Sequence, residues 1–391
     1  MAGKKSLRSF RKPYLNKNKV RWMQSGSGFF RELAHLISLS SQEIHLQTYI
    51  FSSDSTGTMI AESLIAAALR GVQVFLLIDD FGSKDLNADL EKKMVDAGIH
   101  LHRYGRLYSK GRFHIGRRLH RKVLVIDGRT ALVGGMNISD HYNDTEQSKA
   151  WLDFGIIAEG EIAGRLRYVC KARWKGHHFG KLIDGLDLHQ PGFHTPLRIR
   201  RNDFVRNQNE IAVSYRQAIR QAKDSLIFVG AYFLPGGITR RLLKAAVRQG
   251  VEIKILFSER SDVGVMENAR KYLYAWLLRN GIHIYEYKHS NVHGKVLIAD
   301  HQWTTIGSFD LNNLSTFSNI ELNLDIKDEA FSKNLAGHIL HIMENDSVQI
   351  TPQILEKKSG ILNKLNYWFS YQIVKTLFGL SFYLTGKGRD S

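Results

Sequence analysis

The chain has one cysteine, Cys170, in 391 residues, which excludes an internal disulfide framework and agrees with a cytoplasmic, reducing location. Its opening stretch, Met1 to Arg21, is basic and polar, with no apolar run of the kind a signal peptide needs. Acidic residues are scarce too. Thirty-seven Asp and Glu face 55 Lys and Arg, for a formal charge of +18 and a pI near 9.8. Such a surface attracts polyanions, and nucleic acid and anionic phospholipid both qualify. The imbalance peaks between His102 and Lys122, where Arg103, Arg106, Lys110, Arg112, Arg117, Arg118, Arg121 and Lys122 occur without one acid. This run is either a solvated loop or a collar for anionic headgroups, in which each cation near an anionic membrane contributes roughly 1 kcal/mol.

Charge is missing from one other place. Asn366 to Leu384 carries only Lys375 among many aromatic and aliphatic residues. Its length approaches that of a membrane span, about 20 residues. Asn366, Gln372 and Lys375 interrupt it, and its aromatics are spread rather than gathered at the ends. The reading is an amphipathic helix lying in the membrane interface; the bland alternative is a terminal helix packed on the protein or against a second copy.

What the chain does contain is a repeated pattern. His120, Lys122 and Asp127 follow the spacing His, one residue, Lys, four residues, Asp; His293, Lys295 and Asp300 repeat it. Seven residues after each aspartate comes Gly134-Gly135 or Gly307-Ser308. Around each copy, two β-rich runs flank a turn, Asp127-Gly128 in the first and Asp300-His301-Gln302 in the second, and read as hairpins. Residues two apart on a strand share a face, so each His and its Lys are expected to project together. The aspartates sit at the turns, where capping the turn is the expected role ahead of direct chemistry, and the small residues of the return strand are expected to let a phosphate approach the backbone.

The repetition extends to whole halves. Ser41–Phe51 matches Asp224–Leu234, Ala66–Ile78 matches Ala245–Phe257, and Gly98-Ile99-His100 matches Gly281-Ile282-His283. Each half spells strand, helix, strand, helix, strand and motif hairpin, an α/β lobe with a mixed sheet flanked by helices. Repeats of this length indicate two fused domains rather than a solenoid. Pro191, Gly192 and Pro196 mark a linker. The expected organisation is a basic segment over 1–17, a first lobe over 18–183, a linker over 184–202, a second lobe over 203–350 and a membrane-associating tail over 351–391.

These paired motifs, the glycines after them and the doubled lobe resemble the phospholipase D superfamily, over roughly Asn18 to Asp346. Within it the chain is most similar to bacterial cardiolipin synthases, on Asp79-Asp80-Phe81-Gly82-Ser83, Tyr232-Phe233-Leu234-Pro235 and Gly307-Ser308 followed by Ser315, Asn319 and Glu321. The resemblance implies two tandem lobes sharing one pseudo-twofold active site. It implies His120, Lys122, Asp127, His293, Lys295 and Asp300 as the catalytic set, with His120 as nucleophile and His293 as general acid and base. It further implies Asp153 and Glu321 as acids that orient the histidines; with Met1 to Arg21 basic and polar, the two N-terminal membrane spans of some cardiolipin synthases are not expected.

The chemistry also follows from the residue types. A phosphodiester needs cations on its non-bridging oxygens, a nucleophile and an acid for the leaving oxygen. Two imidazoles, titrating near pH ~6.5, and two lysines supply these without a metal or cofactor. Lys122 and Lys295 would hold the phosphate, with Asn137, Ser308 and Asn312 as further phosphate-binding candidates. Two in-line steps through a phosphohistidine suit transfer to an alcohol or to water. The expected substrates are anionic phospholipids, phosphatidylglycerol with phosphatidylglycerol or phosphatidylethanolamine as donor, at the cytoplasmic face of a bacterial membrane. Hydrolysis to phosphatidic acid and cleavage of nucleic acid are the alternatives. One departure stands out: Asp310-Leu311-Asn312 exchanges the two polar residues that the family pattern places after Gly-Ser. A carboxylate cannot donate a hydrogen bond unless protonated, so either Asp310 faces a cation or an alcohol, or Asn312 has taken over the amide role.

His100, His102, His177 and His178 read as ordinary strand or surface residues. Tyr49, Tyr232 and Phe233 are either site-lining or core, and Asp79 and Asp80 end a strand, where α/β sheets place ligands or simply a solvated loop.

Overall fold

A computed structural model describes residues 13–105, 108–109, 112–113, 117–172, 174, 192–312, 315, 319–358 and 360–386. In the first half the strands are β1 (Asn18–Gln24), β2 (Glu43–Thr48), β3 (Gln73–Asp79), β4 (His100–Tyr104), the two-residue β5 (Tyr108–Ser109), β6 (Arg112–Phe113) and β7 (Arg118–Leu119), then β8 (Lys122–Ile126), β9 (Thr130–Gly134) and β10 (Phe154–Gly160). Helices α1 (Ser27–Ser38), α2 (Ser55–Leu69), α3 (Ala88–Asp96) and α4 (Glu161–Lys171) join or cover them. The second half has β11 (Leu197–Asp203), β12 (Gln208–Asn209), β13 (Ser225–Gly230), β14 (Glu252–Ser258), β15 (His283–Tyr287), β16 (Lys295–Ala299), β17 (Trp303–Gly307), β18 (Asn319–Lys327) and β19 (Ser347–Ile350). Its helices are α5 (Glu210–Gln221), α6 (Gly237–Arg248), α7 (Gly264–Arg279), α8 (Glu329–Asn345), α9 (Pro352–Lys358) and α10 (Ile361–Gly386).

The first sheet runs β1-β10-β9-β8-β2-β3-β4, and the second contains β11-β18-β17-β16-β13-β14-β15 in the same relative order, with β12 and β19 added at its edges. In both, the three strands joined through helices are parallel and the remainder antiparallel. This is the duplication seen in the sequence. The two sheets meet through one shared core in which Val123, Val125 and Val133 of the first lobe pack with Val296, Ile298 and Leu324 of the second. β11 already belongs to the second sheet, so residues 197–202, expected in the linker, are part of that lobe; residues 184–191 lie outside the described residues.

Both motif hairpins turn through left-handed residues, Asp127 and Gly128 in one and Asp300 and His301 in the other. That is the double positive φ of the tight turns that match strand twist. The aspartates have a second task. Asp127 accepts from the backbone N–H groups of Ser41, Gln42 and Glu43 at 2.9 Å, and Asp300 accepts from those of Lys223, Asp224 and Ser225 at 2.9–3.1 Å. Each fastens the hairpin to the chain entering the neighbouring strand, as equivalent positions in a duplicated fold should.

The basic run before the first motif is largely braced from within. Arg103 pairs with Glu91 and Asp80, Arg117 with Asp203, Arg118 with Asp79, and buried Arg121 donates to Gln47 at 2.6 Å. These cations are therefore structural rather than a free collar. Arg106, Lys110, His177 and His178 lie outside the described residues.

The terminal helix α10 does two things at once. It docks on α7 through Ser370, Val374 and Tyr371, whose ring lies 4.7 Å from that of Tyr272. On the other side it exposes Ile361, Leu362, Leu365, Trp368, Phe369, Ile373 and Leu377, a broad apolar stripe at helical spacing. Among the described residues, no helix is long and apolar enough to cross a membrane.

Candidate active site

The site forms where each lobe reaches into the other. β7 pairs in parallel with β18 of the opposite lobe, and His120 donates its backbone N–H to Ile320 at 3.0 Å. Leu152 forms the mirror-image bridge with Val292, and His293 donates its N–H to Leu152 at 2.7 Å. The motif strands therefore begin only at Lys122 and Lys295, not at the histidines. The expectation that each His and Lys share one strand face is corrected: each histidine is held by the partner lobe, and each lysine bonds back to it. Lys122 Nζ donates to the His120 carbonyl at 2.7 Å, and Lys295 Nζ to the His293 carbonyl.

The orienting acids are crossed in the same way. His120 Nδ1 meets both carboxylate oxygens of Glu321, at 3.0 and 3.1 Å, and His293 Nδ1 meets Asp153 at 2.6 Å. An Nδ1–H donated to a carboxylate leaves Nε2 as the reactive nitrogen. Ser308 donates to Glu321 at 2.5 Å, so it braces the acid. Burial alone would raise the Glu321 carboxyl, but His120, Lys122 and the Ser308 hydroxyl hold it below its ordinary value. Burial lifts Asp153 to about 6 against the pull of Lys295, the Phe154 N–H and Lys122. It also pushes the His293 imidazole well below 6.5, helped by Lys295, Lys122 and His120. His293 therefore rests as the neutral base.

The two histidines differ at Nε2. The Tyr142 hydroxyl lies 3.3 Å from His293 Nε2 and accepts from Asn137 Nδ2 at 2.7 Å. Burial keeps this phenol protonated, so the chain of donors runs from Asn137 through Tyr142 to His293. Asn137 is completed by accepting from the Ile50 N–H. It stands one residue removed from His293, with Tyr142 between, and its amide is in use. Tyr142 was not among the sequence candidates; the one available signal is that Ser315 stands at its position in the second half, 22 residues after the histidine in each case.

The remaining expectations divide. Asn312 accepts from the Ser315 N–H at 2.9 Å and donates to the Tyr232 carbonyl at 3.2 Å, which makes it a loop strut. Asp127 and Asp300, expected in the catalytic set, stand at the far ends of the five-residue β8 and β16, roughly 16 Å from the lysines. Their carboxylates are occupied by backbone, and they do not reach the cleft. The glycines are corrected too. A Cβ on Gly135 would come 2.5 Å from the Asp153 carboxylate, and one on Gly307 would come 2.2 Å from the Leu322 carbonyl, so they make room for the orienting acid and the adjacent strand.

Tyr49 lines the site: its ring edge packs 5.0 Å from His120, and Lys122 Nζ lies 5.4 Å from its centroid. It opens onto a cavity of about 550 Å³ bounded by Phe81, Gly82, Ser139 and His141. Tyr232 donates to Asp262, and Phe233 is core. Asp79 caps the backbone of Leu119 at 2.9 Å and so fixes the entry to the first motif.

Lys122 is the costly member. Lys122 is 3% exposed, and burial lowers its ammonium from 10.5 to about 7, with Glu321 opposing and Lys295 reinforcing the shift. A base with a depressed folded pKa destabilises the fold fully below that pKa, and the penalty fades as pH rises from about 7 to 10.5. Lys122→Met should therefore abolish turnover yet raise stability by about 1–3 kcal/mol at pH 6, with a smaller gain at pH 9. Thermal melts at the two pH values measure this; equal gains would show that Lys122 is not held against its ionisation.

A family model described as cardiolipin synthase, PLD-like domain matches residues 33–152 and 215–343, one segment in each lobe. The chain belongs to this family. Cardiolipin synthase B of Salmonella typhi is 30% identical over 355 residues, covering 88% of this chain and 84% of that protein, and cardiolipin synthase B of Escherichia coli K12 gives the same figures. Among solved structures, phosphatidylserine synthase of Haemophilus influenzae superposes with a TM-score of 0.71 over 95% of this chain and 99% of that one, at 15% identity. At that identity the likeness concerns the fold, and it confirms the two-lobed α/β architecture common to the family.

Proposed function

We propose that this chain is a cardiolipin synthase-type phosphatidyltransferase, working through a phosphohistidine. The observation that carries the reading is the crossed pair of histidines, each fixed at Nδ1 by the other lobe's acid and set beside a buried lysine. The two relatives named above, both cardiolipin synthase B, direct this chemistry to phospholipid.

In the first step His120 Nε2 attacks the phosphorus of the donor lipid. The P–N bond forms as the P–O bond to the leaving headgroup breaks, and His293, protonated once the anionic phosphodiester is bound, gives its proton to the leaving oxygen. In the second step a hydroxyl of phosphatidylglycerol gives its proton to His293 and attacks the phosphorus, and the P–N bond breaks. The assignment of His120 as nucleophile is supported by the asymmetry at Nε2, since Tyr142 covers that atom only on His293.

The exposed stripe of α10 supports peripheral attachment to the membrane on which the lipids lie. Replacing Leu365, Trp368 and Phe369 together by Glu should release the protein from phosphatidylglycerol vesicles in a flotation assay, with its melting temperature kept. Retention on the vesicles would remove the helix from this role. The function itself is tested by incubating purified protein with phosphatidylglycerol vesicles, with and without phosphatidylethanolamine, and reading the lipids by mass spectrometry. Cardiolipin is the expected product. No cardiolipin in either mixture, with cleavage of single-stranded DNA, would overturn the lipid reading, and phosphatidic acid alone would make the enzyme a hydrolase.

A further inference from the structure

Asp310 occupies the position in the second half that Asn137 occupies in the first, each seventeen residues after its histidine. The environments differ. Asn137 is engaged by Tyr142, but Ser315 replaces that tyrosine in the second half and brings no ring to the cleft. Asp310 is 4% exposed, and its Oδ1 has no hydrogen-bond partner among the described residues. Lys295 Nζ stands 3.8 Å from that oxygen, within ion-pair range but beyond a hydrogen bond, and it already donates to the His293 carbonyl. A buried carboxyl oxygen that lacks a hydrogen bond, beside a lysine of the motif, is costly unless a ligand completes it.

The neighbouring amide cannot serve instead. Asn312 is committed at both ends to the loop, through Ser315 and Tyr232. The charged and titratable groups that act on Asp310 come from every side. Lys295 lies on β16, Lys122 on β8 with His120 just before it, and Glu321 on β18; Tyr215 of α5, Tyr232 after β13 and Tyr142 of the first lobe complete the set. An ionised Asp310 among these would oppose an incoming phosphodiester, as two anions sharing one site repel. A neutral carboxylic acid would instead offer it an O–H donor, and hydrogen bonds of this charge-assisted kind are short and strong.

Resting on the reading that a phosphodiester binds between the two lobes, we propose that Asp310 contacts the substrate as the neutral acid, donating its hydrogen to a non-bridging phosphate oxygen beside Lys295. The proton comes from solvent, so binding of the phosphodiester is accompanied by proton uptake at Asp310. Burial, which raises this carboxyl above its ordinary range, prepares the group for that state. The exchange of Asp and Asn around Leu311 thus makes substrate affinity depend on pH where the family's amide would not.

The sign of the effect follows. A rise in pH ionises Asp310 and weakens binding, so the alkaline fall in kcat/KM should be steeper in the parent than in Asp310→Asn, which keeps only the decline set by the neighbouring Lys122. Rates on phosphatidylglycerol in mixed micelles, taken over about pH 5 to 9, should place Asp310→Asn within about twofold of the parent at the acid end and about tenfold above it at the alkaline end. Asp310→Ala, with no donor, should be about tenfold slower at the acid end. An Asp310→Asn profile that tracks the parent at every pH would overturn the proposal.

A second measurement is independent of lipid turnover. Calorimetric titration with tungstate at the alkaline end of that range, where Asp310 is ionised in the free protein, in buffers of different ionisation enthalpy, should show up to about one more proton taken up by the parent than by Asp310→Asn. If that difference is found while no cardiolipin forms, the lipid reading falls and the role of Asp310 stands. Equal proton uptake by the two proteins sinks the role of Asp310 whatever the substrate. Asp310→Ser, which also donates without titrating, gives the same pair of readings should the amide variant fail to fold.

Discussion

Glu321→Gln is expected to slow formation of the phosphohistidine on His120, although the two residues are 201 positions apart and belong to different lobes. The carboxylate fixes the ring so that Nε2 carries the lone pair, and it stabilises the positive charge that builds on the imidazole during attack. An amide can present its N–H to Nδ1 and select the wrong tautomer. In the best-known histidine–carboxylate pair, the serine protease triad, the corresponding change lowers kcat by about 10⁴. A loss of about 10²–10⁴ is expected here, located in the first step. Asp153→Asn should place its loss on proton transfer by His293 instead. Each substitution should thus reproduce the defect of the opposite lobe's histidine, which rapid-quench separation of the two steps can read. A defect that follows the same lobe's histidine would contradict the crossed pairing.

The second large effect concerns the histidines themselves. His293→Ala removes the proton donor and acceptor but leaves the nucleophile and both lysines. With a natural headgroup, turnover should fall about 10²–10⁴-fold, the usual range for loss of general acid–base catalysis. With an activated nitrophenyl leaving group, which departs without protonation, a burst of nitrophenol should remain, followed by slow discharge. His120→Ala should give no burst with either substrate. A burst of equal size in His120→Ala would exchange the two roles.

The duplicated sequence announced much of this architecture. The matched segments became strands in the same order in both sheets, because alternating apolar runs and Gly-marked turns determine local structure directly. The two His-Lys pairs stood out by their repetition, and Asp153 and Glu321 were offered by the family resemblance. What could not be read was their connection. A hydrogen bond spanning 140 or 201 residues depends on how two lobes pack, and periodicity carries no information about that. The same cause misplaced the histidines on continuous strands, when β7 in fact leaves its own lobe to pair with β18.

Other residues were misread because one residue type serves several ends. Gly135 looked like an approach for phosphate, yet its missing Cβ accommodates the Asp153 carboxylate. Asp127 and Asp300 travel with the motif, and their hydrogen bonds to the chain entering β2 and β13 explain why a duplicated hairpin would retain them. Tyr142 carried no motif at all. Only the break in the repeat, tyrosine in one half and serine in the other, hinted that the halves differ at their reactive nitrogens.

The central claim is that two lobes build one site in which His120 alone becomes covalently bonded to phosphorus. The most direct test is to quench the enzyme during turnover of phosphatidylglycerol under alkaline conditions, which preserve a phosphoramidate, and map the modified peptide by mass spectrometry. The account predicts a phosphatidyl adduct on His120, retained in His293→Ala when the donor carries the nitrophenyl leaving group and missing in His120→Ala. An adduct on His293, or turnover to cardiolipin by the His120→Ala protein, would contradict it.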